Sequence, residues 1–345
     1  MAKLTLLGAL LLYMTYTTNA ATLWVPATPQ APQPYALKKG LGIPLPGGNT
    51  FPVTGNSSGG AFCILNTHAA GSGSGGIFPH VHKNTYETFY TVKGRVQLWG
   101  QNLDHFLANT SVQQTRILHA GDIGAIPRST IHTFRLLEPD TQLTGVLVPG
   151  GFEEFFFHMD HLAPAPGTLP GAGGFDVTGL AAWDVYPQLD FVPRRDIVNG
   201  KAGPGNWYDG PNPLPRGVEG PVWVAKDYGS KFLVEGDGRY QISVPGGRKA
   251  PRLISAVATA FMVEEGQLEV VVEGYDAASL IDGDVVFVPG NVSFSYAATA
   301  EFTKLMYVTG GGQGMDQVLM EKGRAWDSAF YPTREAGPVK GTVRV

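Results

Sequence analysis

The chain has 345 residues, with 46 glycines, 26 prolines and a formal net charge of −4. That length sets two domains as the first expectation, and the lack of a basic stripe excludes a nucleic-acid surface. No apolar run is long enough to span a membrane, so membrane insertion is excluded with it.

The first 20 residues carry the chemistry of a secretory signal peptide. Lys3 supplies the positive start, Leu4 to Met14 the apolar run, and Thr18-Asn19-Ala20 a small-residue cleavage site. A mature, extracellular chain beginning near Ala21 is expected. A single cysteine, Cys63, rules out an intramolecular disulfide and sits in an apolar run as a buried small hydrophobe would. Asn56, Asn109 and Asn291 each open an Asn-x-Ser sequon and are the expected glycan sites of a secreted glycoprotein.

Residues 75 to 150 are read as successive strands, because aromatic and β-branched runs alternate with Gly, Pro and Asn clusters. Glu87 to Val92, Arg95 to Trp99, Asp122 to Ile126, Ile131 to Leu137 and Leu143 to Val148 form the series. Phe152 to Met159 has the length of one short helix. Residues 162 to 220 then change character and become rich in Pro and Gly, as in a long linker with an ordered middle at Trp183 to Arg195.

From about Trp223 the strand pattern returns and repeats the first half. Gly121-Asp122-x4-Pro127-x4-His132-x-Phe134 aligns with Gly283-Asp284-x4-Pro289-x4-Phe294-x-Tyr296, and Phe89-x4-Gly94 aligns with Phe261-x4-Gly266. This is a duplication of about 130 residues, too long for a solenoid unit. Two β-barrel or jelly-roll domains are the natural result.

His80, His82, Glu87 and His132 form one pattern: His-x-His, four residues, Glu, six residues, Gly, followed after Gly121 by Gly-x5-Pro-x-Ser-x2-His. His80 and His82 are two apart on a strand, so their imidazoles share a face. Glu87 is five residues beyond His82. On a straight strand it would point away, so Lys83-Asn84-Thr85 must turn or bulge to bring it back. Three imidazoles and one carboxylate suit Cu, Fe, Ni, Zn or Mn and leave positions open for substrate. Copper fits a secreted protein because it tops the divalent affinity series, and a closed structural zinc site would be richer in cysteine.

In the second half the four ligands align with Arg252, Ile254, Thr259 and Phe294. All eight histidines lie between His68 and His161, so a His-ligated metal is excluded there. Packing against the first domain, or an oligomer interface such as that of a homodimer, is its expected role. His105, His119, His158 and His161 belong to surface or loop positions, and His68 borders a pocket.

The two motifs resemble those of the cupin superfamily, with Ser129 in place of the second motif's last Gly. Phe78-Pro-His-Val-His, Tyr86-Glu-Thr-Phe-Tyr, Gln97-Leu-Trp, Gln113-Gln-Thr-Arg and Thr144-Gly-Val-Leu-Val-Pro-Gly-Gly-Phe-Glu resemble the fungal quercetin 2,3-dioxygenases (flavonol 2,4-dioxygenases). The resemblance implies an all-β bicupin, two jelly-roll β-barrels joined by a long linker. Its parts are a signal peptide at 1–20, an N-terminal metal-binding cupin at 21–160, a linker at 161–220 and a C-terminal cupin without metal ligands at 221–345.

It also implies one divalent metal per chain, copper first and Mn, Fe, Ni or Co otherwise. His80, His82, Glu87 and His132 are the implied ligands, with Glu87 also the base that takes the substrate's enol proton. O2 and a small aromatic substrate are the implied partners, and the central ring of a flavonol is cleaved with release of carbon monoxide. The matching pocket positions are Leu65, Thr67, Phe89, Phe134, Leu143, Leu147 and Phe152. Asn49 stands near where an aromatic residue is expected, so ring-cleaving chemistry is better supported than quercetin itself. Two alternatives remain open: a related cupin enzyme acting on another aromatic or polyketide product, and a non-catalytic storage or sugar-binding bicupin. An oxalate-degrading role is disfavoured, since a dianionic substrate calls for a cationic pocket.

Overall fold

The computed structural model describes residues 20–45, 48–68, 77–109, 112–161, 179–204, 220–228, 232–233, 235–236, 239–240, 253–300, 302–310, 321 and 323–325. The expected leader up to residue 19, the glycine-rich stretch 71–76, the linker parts 162–178 and 205–219, and Arg252 lie outside the described residues.

In chain order the first half contains β1 (Tyr35–Leu37), β2 (Ile43–Pro44), β3 (Thr50–Val53), α1 (Gly55–Ser58), β4 (Cys63–His68), β5 (His80–Val81), β6 (Tyr86–Lys93) and β7 (Arg95–Asn102). It continues with α2 (Leu103–Leu107), β8 (Gln114–His119), β9 (Ile123–Ile126), β10 (Thr130–Leu136), β11 (Gln142–Val148) and α3 (Glu153–His161). A 3-10 turn at Leu180–Trp183 leads to β12 (Tyr186–Pro187), β13 (Lys201–Ala202) and β14 (Val222–Val224). The second half holds β15 (Phe232–Leu233), β16 (Glu235–Gly236), β17 (Arg239–Tyr240), β18 (Leu253–Ile254), β19 (Thr259–Glu265), β20 (Gln267–Val272), β21 (Ala278–Ile281), β22 (Val285–Val288), β23 (Ser293–Ala298), β24 (Lys304–Thr309) and β25 (Arg324–Ala325).

The fold is the expected all-β bicupin. Each lobe is a jelly roll of two facing sheets rather than one closed hydrogen-bonded barrel. In the first lobe the sheets run β12-β5-β10-β7-β8-β13 and β14-β9-β6-β11-β4-β3-β2; in the second they run β1-β22-β19-β24 and β18-β23-β20-β21. Phe89, Val96, Leu98, Leu118, Ile126, Leu136 and Leu143 fill the space between the first pair of sheets. Phe261, Val263, Leu268, Val270, Val286 and Phe294 do the same in the second. Strand β20, Gln267-Leu-Glu-Val-Val-Val, alternates half-buried and buried positions, the period of a strand with one core face. Strand β22, Val285-Val-Phe-Val, is buried throughout. Val286 and Val288 face the lobe's own core, while Val285 and Phe287 meet Val53, Phe62, Ile64 and Val146 of the first lobe. The lobes are therefore joined by an apolar core, with Phe287 packed edge-on against Phe62 at a ring separation of 6.2 Å.

The pairing does not follow the division into 21–160, 161–220 and 221–345. Strand β1 pairs with β22, so the chain's first strand completes the second lobe. Conversely β14 pairs with β9 and completes the first. The exchange is symmetric: Lys39 donates its backbone N–H to Asp284 at 3.0 Å, and Lys226 donates its own to Asp122 at 2.8 Å. Where it is described, the 161–220 segment packs on the first lobe. β12 pairs with β5, β13 pairs with β8, and Val185 and Phe191 are buried.

The repeat is visible in the backbone. Gly94 and Gly266 both have positive φ, 74° and 86°. A Cβ at these positions would collide with Thr141 Oγ1 and with the Phe302 carbonyl. Ser129 and Asn291 are likewise equivalent, at φ 57° and 63°; their N–H groups donate to His82 O and Ser255 O, each at 2.7 Å. The structure corrects the sequence alignment of the first two ligands. His132 lies opposite His80, whereas Phe294 lies opposite Leu253. The equivalents of His80 and His82 are thus Leu253 and Ser255, not Arg252 and Ile254. Thr259 remains the equivalent of Glu87, since the two pair with Val288 and Ile126. The first lobe consequently has one extra residue between the His-x-His pair and the ligand-bearing strand, a length difference that sequence periodicity does not resolve.

Candidate metal centre

Strands β5 and β10 share one sheet, and β6 runs in the facing one. His80 and His82 flank Val81 on one face, and antiparallel pairing sets His132 opposite His80. Glu87 enters from the other sheet, near the start of β6. The ring centroids of His80 and His82 are 4.8 Å apart, and those of His80 and His132 are 4.2 Å apart. One ligand atom from each of His80, His82, Glu87 and His132 can be chosen so that all four lie within 4.8 Å of one another, and all four residues are buried. Among the described residues this is the one such cluster.

Each imidazole is held from behind by a carbonyl. The Nδ1 atoms contact Phe78 O at 2.9 Å, Asp184 O at 2.7 Å and Thr130 O at 3.1 Å for His80, His82 and His132 respectively. A carbonyl only accepts, so each Nδ1 carries a proton, and Nε2 is the atom each ring turns inward. His132 Nε2 is 2.9 Å from Glu87 Oε2, which brings two acceptors together unless a proton or a metal ion bridges them. His82 Nε2 is buried without a hydrogen bond, 3.5 Å from the same oxygen. These orphaned and opposed acceptors fit a divalent cation, and the donor set of three nitrogens and one carboxylate suits a transition metal.

The charges are strongly coupled. Burial alone would raise the Glu87 carboxyl, but the His132 and His82 rings against it hold it well below the usual carboxylate range. Burial and the neighbouring His132 and His82 push His80 well down, so it is neutral. For His82 burial works downward, and Glu87 and Asp184 outweigh it to raise the group. The raised His82 favours a proton beside the Glu87 oxygen, so binding a metal there displaces a proton and metal affinity rises with pH.

Asp184, from the linker, is a residue that sequence reasoning missed. It follows the 3-10 turn in the left-handed conformation, at φ 61°. Its carboxylate accepts the N–H groups of Lys83, Asn84 and Thr85 at 2.9, 2.8 and 2.9 Å. This is the turn that the five-residue spacing from His82 to Glu87 demands. A residue about 100 positions away leaves no local signal of that contact.

A cavity of about 140 Å³ opens beside His80 and Glu87. Of the expected pocket residues, Leu65, Thr67, Phe89, Phe134, Leu143 and Phe152 line it. Leu147 does not; it pairs with Glu87 and Cys63 and packs in the core behind. Asn49 does line it, with Ile77, Gly145 and Phe156, which the sequence reading missed. The i, i+4 spacing of Phe152 and Phe156 was a usable signal. So was a glycine inside strand β11, which marks a close approach or a vacancy.

A larger cavity of about 190 Å³ lies between the lobes and holds none of the four ligands. His68 lines this one, so the pocket it borders is not the metal cavity. His105 and His119 are exposed, as expected. His158 instead stacks on Trp183 at 4.2 Å, and the His161 side chain lies outside the described residues. Cys63 is fully buried, and burial together with Glu153 and Glu87 pushes its thiol well up. Asn56, Asn109 and Asn291 are all exposed.

The chain is similar to a quercetin 2,3-dioxygenase of Aspergillus japonicus, with 36% identity over 318 residues, covering 82% of this chain and 89% of the relative. It is also similar to a quercetin 2,3-dioxygenase of Bacillus subtilis (strain 168), with 31% identity over 131 residues, covering 37% of this chain and 35% of that one. Solved structures that resemble it include an oxalate decarboxylase variant of Bacillus subtilis, at 15% identity and TM-score 0.45, covering 79% of this chain and 76% of that one. Another is an oxalate decarboxylase formate complex of Lactobacillus farciminis, at 12% identity and TM-score 0.45, covering 76% and 80%. No family model matches the chain.

Proposed function

We propose, on the premise that this chain belongs to the quercetin 2,3-dioxygenase family and is a cupin dioxygenase with a divalent metal site, that it cleaves the central ring of a flavonol. Both atoms of O2 enter the product, and one ring carbon leaves as carbon monoxide. The observation that carries this reading is the convergence of His80, His82, Glu87 and His132, of which His80 and Glu87 line an apolar cavity.

Copper, or otherwise Mn, Fe, Ni or Co, would act there as a Lewis acid that acidifies a coordinated hydroxyl. Glu87 is the residue that receives the enol proton. It is held anionic, the form that accepts, but its proton affinity is low. Transfer therefore depends on the substrate hydroxyl being acidified and lying within hydrogen-bond reach. Phe89, Phe134, Leu65 and Phe152 exclude water and strengthen that hydrogen bond. The same apolar lining, with no lysine or arginine among the described residues, weighs against a dicarboxylate substrate.

Asn49 on the cavity wall favours a second reading, in which the substrate is another enolised aromatic or polyketide product. A storage or sugar-binding role is disfavoured, because such a role has no use for the buried quartet. Secretion after removal of residues 1–20, and glycans on Asn56, Asn109 and Asn291, belong to the proposal. Mass analysis of protein from the culture medium, before and after enzymatic deglycosylation, tests both.

The deciding experiment loads the protein with copper and follows O2 uptake and carbon monoxide release over a small flavonol panel. One CO per O2 is the expected result. Protein that holds one metal per chain yet yields neither overturns the flavonol reading.

A further inference from the structure

Among the described residues, the metal quartet has one ligand whose spacing is irregular, and one outside residue that compensates for it. His82 and Glu87 are separated by Lys83, Asn84, Thr85 and Tyr86. The equivalent stretch in the second lobe, Ser255 to Thr259, is one residue shorter. The extra residue must be absorbed in the turn, or Glu87 enters β6 facing the wrong side of the sheet. In this turn three successive N–H groups point at one carboxylate, that of Asp184, and the Asn84 side-chain amide donates to it as well at 3.1 Å. The backbone carbonyl of the same residue accepts from His82 Nδ1 at 2.7 Å.

We propose that Asp184 is the positioning residue of the metal centre: its carboxylate fixes the turn that delivers Glu87, and its carbonyl fixes the ring of His82. Two of the four ligands are thereby held by one residue of the segment that joins the lobes. The anchor is itself immobilised. Leu180 and Val185 are buried on either side of it, and Trp183 stacks on His158 of α3. Charged acceptors make the stronger hydrogen bonds. Loss of outer partners of this kind typically lowers metal affinity 10–100-fold.

The inference rests on the reading that the quartet holds a metal, and the test separates the two. Wild type, Asp184→Gly and Asp184→Asn are titrated with Cu(II) against a competing chelator, and the Cu(II) EPR spectrum of each is recorded. Gly and Asn both tolerate the left-handed backbone at this position. Asp184→Gly is expected to bind copper on the order of 10–100-fold more weakly, with an altered spectrum because the Glu87 oxygen is no longer held. Asp184→Asn keeps one acceptor oxygen and should fall between the two. A melting temperature lowered in Asp184→Gly, with copper affinity and spectrum unchanged, would reduce Asp184 to a structural role and overturn the inference alone. If Asp184→Gly does not fold, Asp184→Asn decides, and wild-type affinity and spectrum there overturn the inference equally. A wild type that takes up none of Cu, Mn, Fe, Ni or Co sinks the metal reading and this inference with it.

Discussion

His132 Nε2 and Glu87 Oε2 lie 2.9 Å apart although they belong to two facing sheets and stand 45 positions apart in the chain. The contact is buried on both sides, and only a shared proton or a metal ion reconciles the two acceptors. A buried unpaired charge is costly. The pair is thus a point where metal binding and folding are linked, and where substitutions separate the role of ligand from the role of base.

Glu87→Gln retains an oxygen at the same place but removes the proton acceptor. Metal content measured by elemental analysis is expected to stay near one per chain. Turnover, measured as O2 uptake, should fall by roughly 10²–10⁴, the range for loss of a general base. Wild-type turnover would refute the role given to Glu87.

His132→Ala removes a ligand outright and should weaken metal binding by more than the roughly 10–100-fold typical of an outer-shell partner. Thermal stability checks the same point by linkage. Metal at 100 times its dissociation constant is expected to stabilise the wild type by about 2.7 kcal/mol. The variant should show no such gain at that concentration.

Phe294→His places an imidazole at the position equivalent to His132, but Leu253, Ser255 and Thr259 complete no ligand set around it. Metal should remain at one per chain. A rise to two would show that the second lobe does supply a ligand set.

Gly94→Ala tests the turn between β6 and β7. The position has φ 74°, and a Cβ would lie 2.5 Å from Thr141 Oγ1. The left-handed backbone alone costs about 1–2 kcal/mol for a residue with a side chain, and the overlap adds to it. Urea denaturation should show a loss of at least that size.

Cys63 is fully buried, with its thiol pushed well above its ordinary value. A raised pKa leaves less thiolate at any given pH, and thiolate is the reactive form. A disulfide-exchange reagent at pH 8 should leave the folded protein unmodified and react once per chain after denaturation. Fast reaction of the folded protein would show that the site opens.

The sequence by itself determined the duplication and the four residues that cluster, because these depend on local chemistry. A period of two marks a strand face, and His80-x-His82 is such a period. The repeated glycines at 94 and 266 are required by positive φ in equivalent turns, so the duplication was legible without coordinates. The cavity was legible where aromatic and aliphatic residues alternate on strands, as at Phe89, Phe134 and Leu143. Leu147 failed because alternation does not say which buried side chain reaches the cavity and which packs behind it.

Only the tertiary structure decided what depends on contacts between distant segments. That β1 completes the second lobe and β14 the first follows from sheet edges that needed partners, and hydrogen-bonding edges carry no residue signature. The one-residue slip that makes Leu253 and Ser255 the equivalents of His80 and His82 is fixed by pairing register, which sequence spacing leaves ambiguous. Asp184 belongs to the same class. Its carboxylate satisfies backbone groups about 100 residues away, and backbone N–H groups are identical in every non-proline residue, so no pattern of side chains could have announced it.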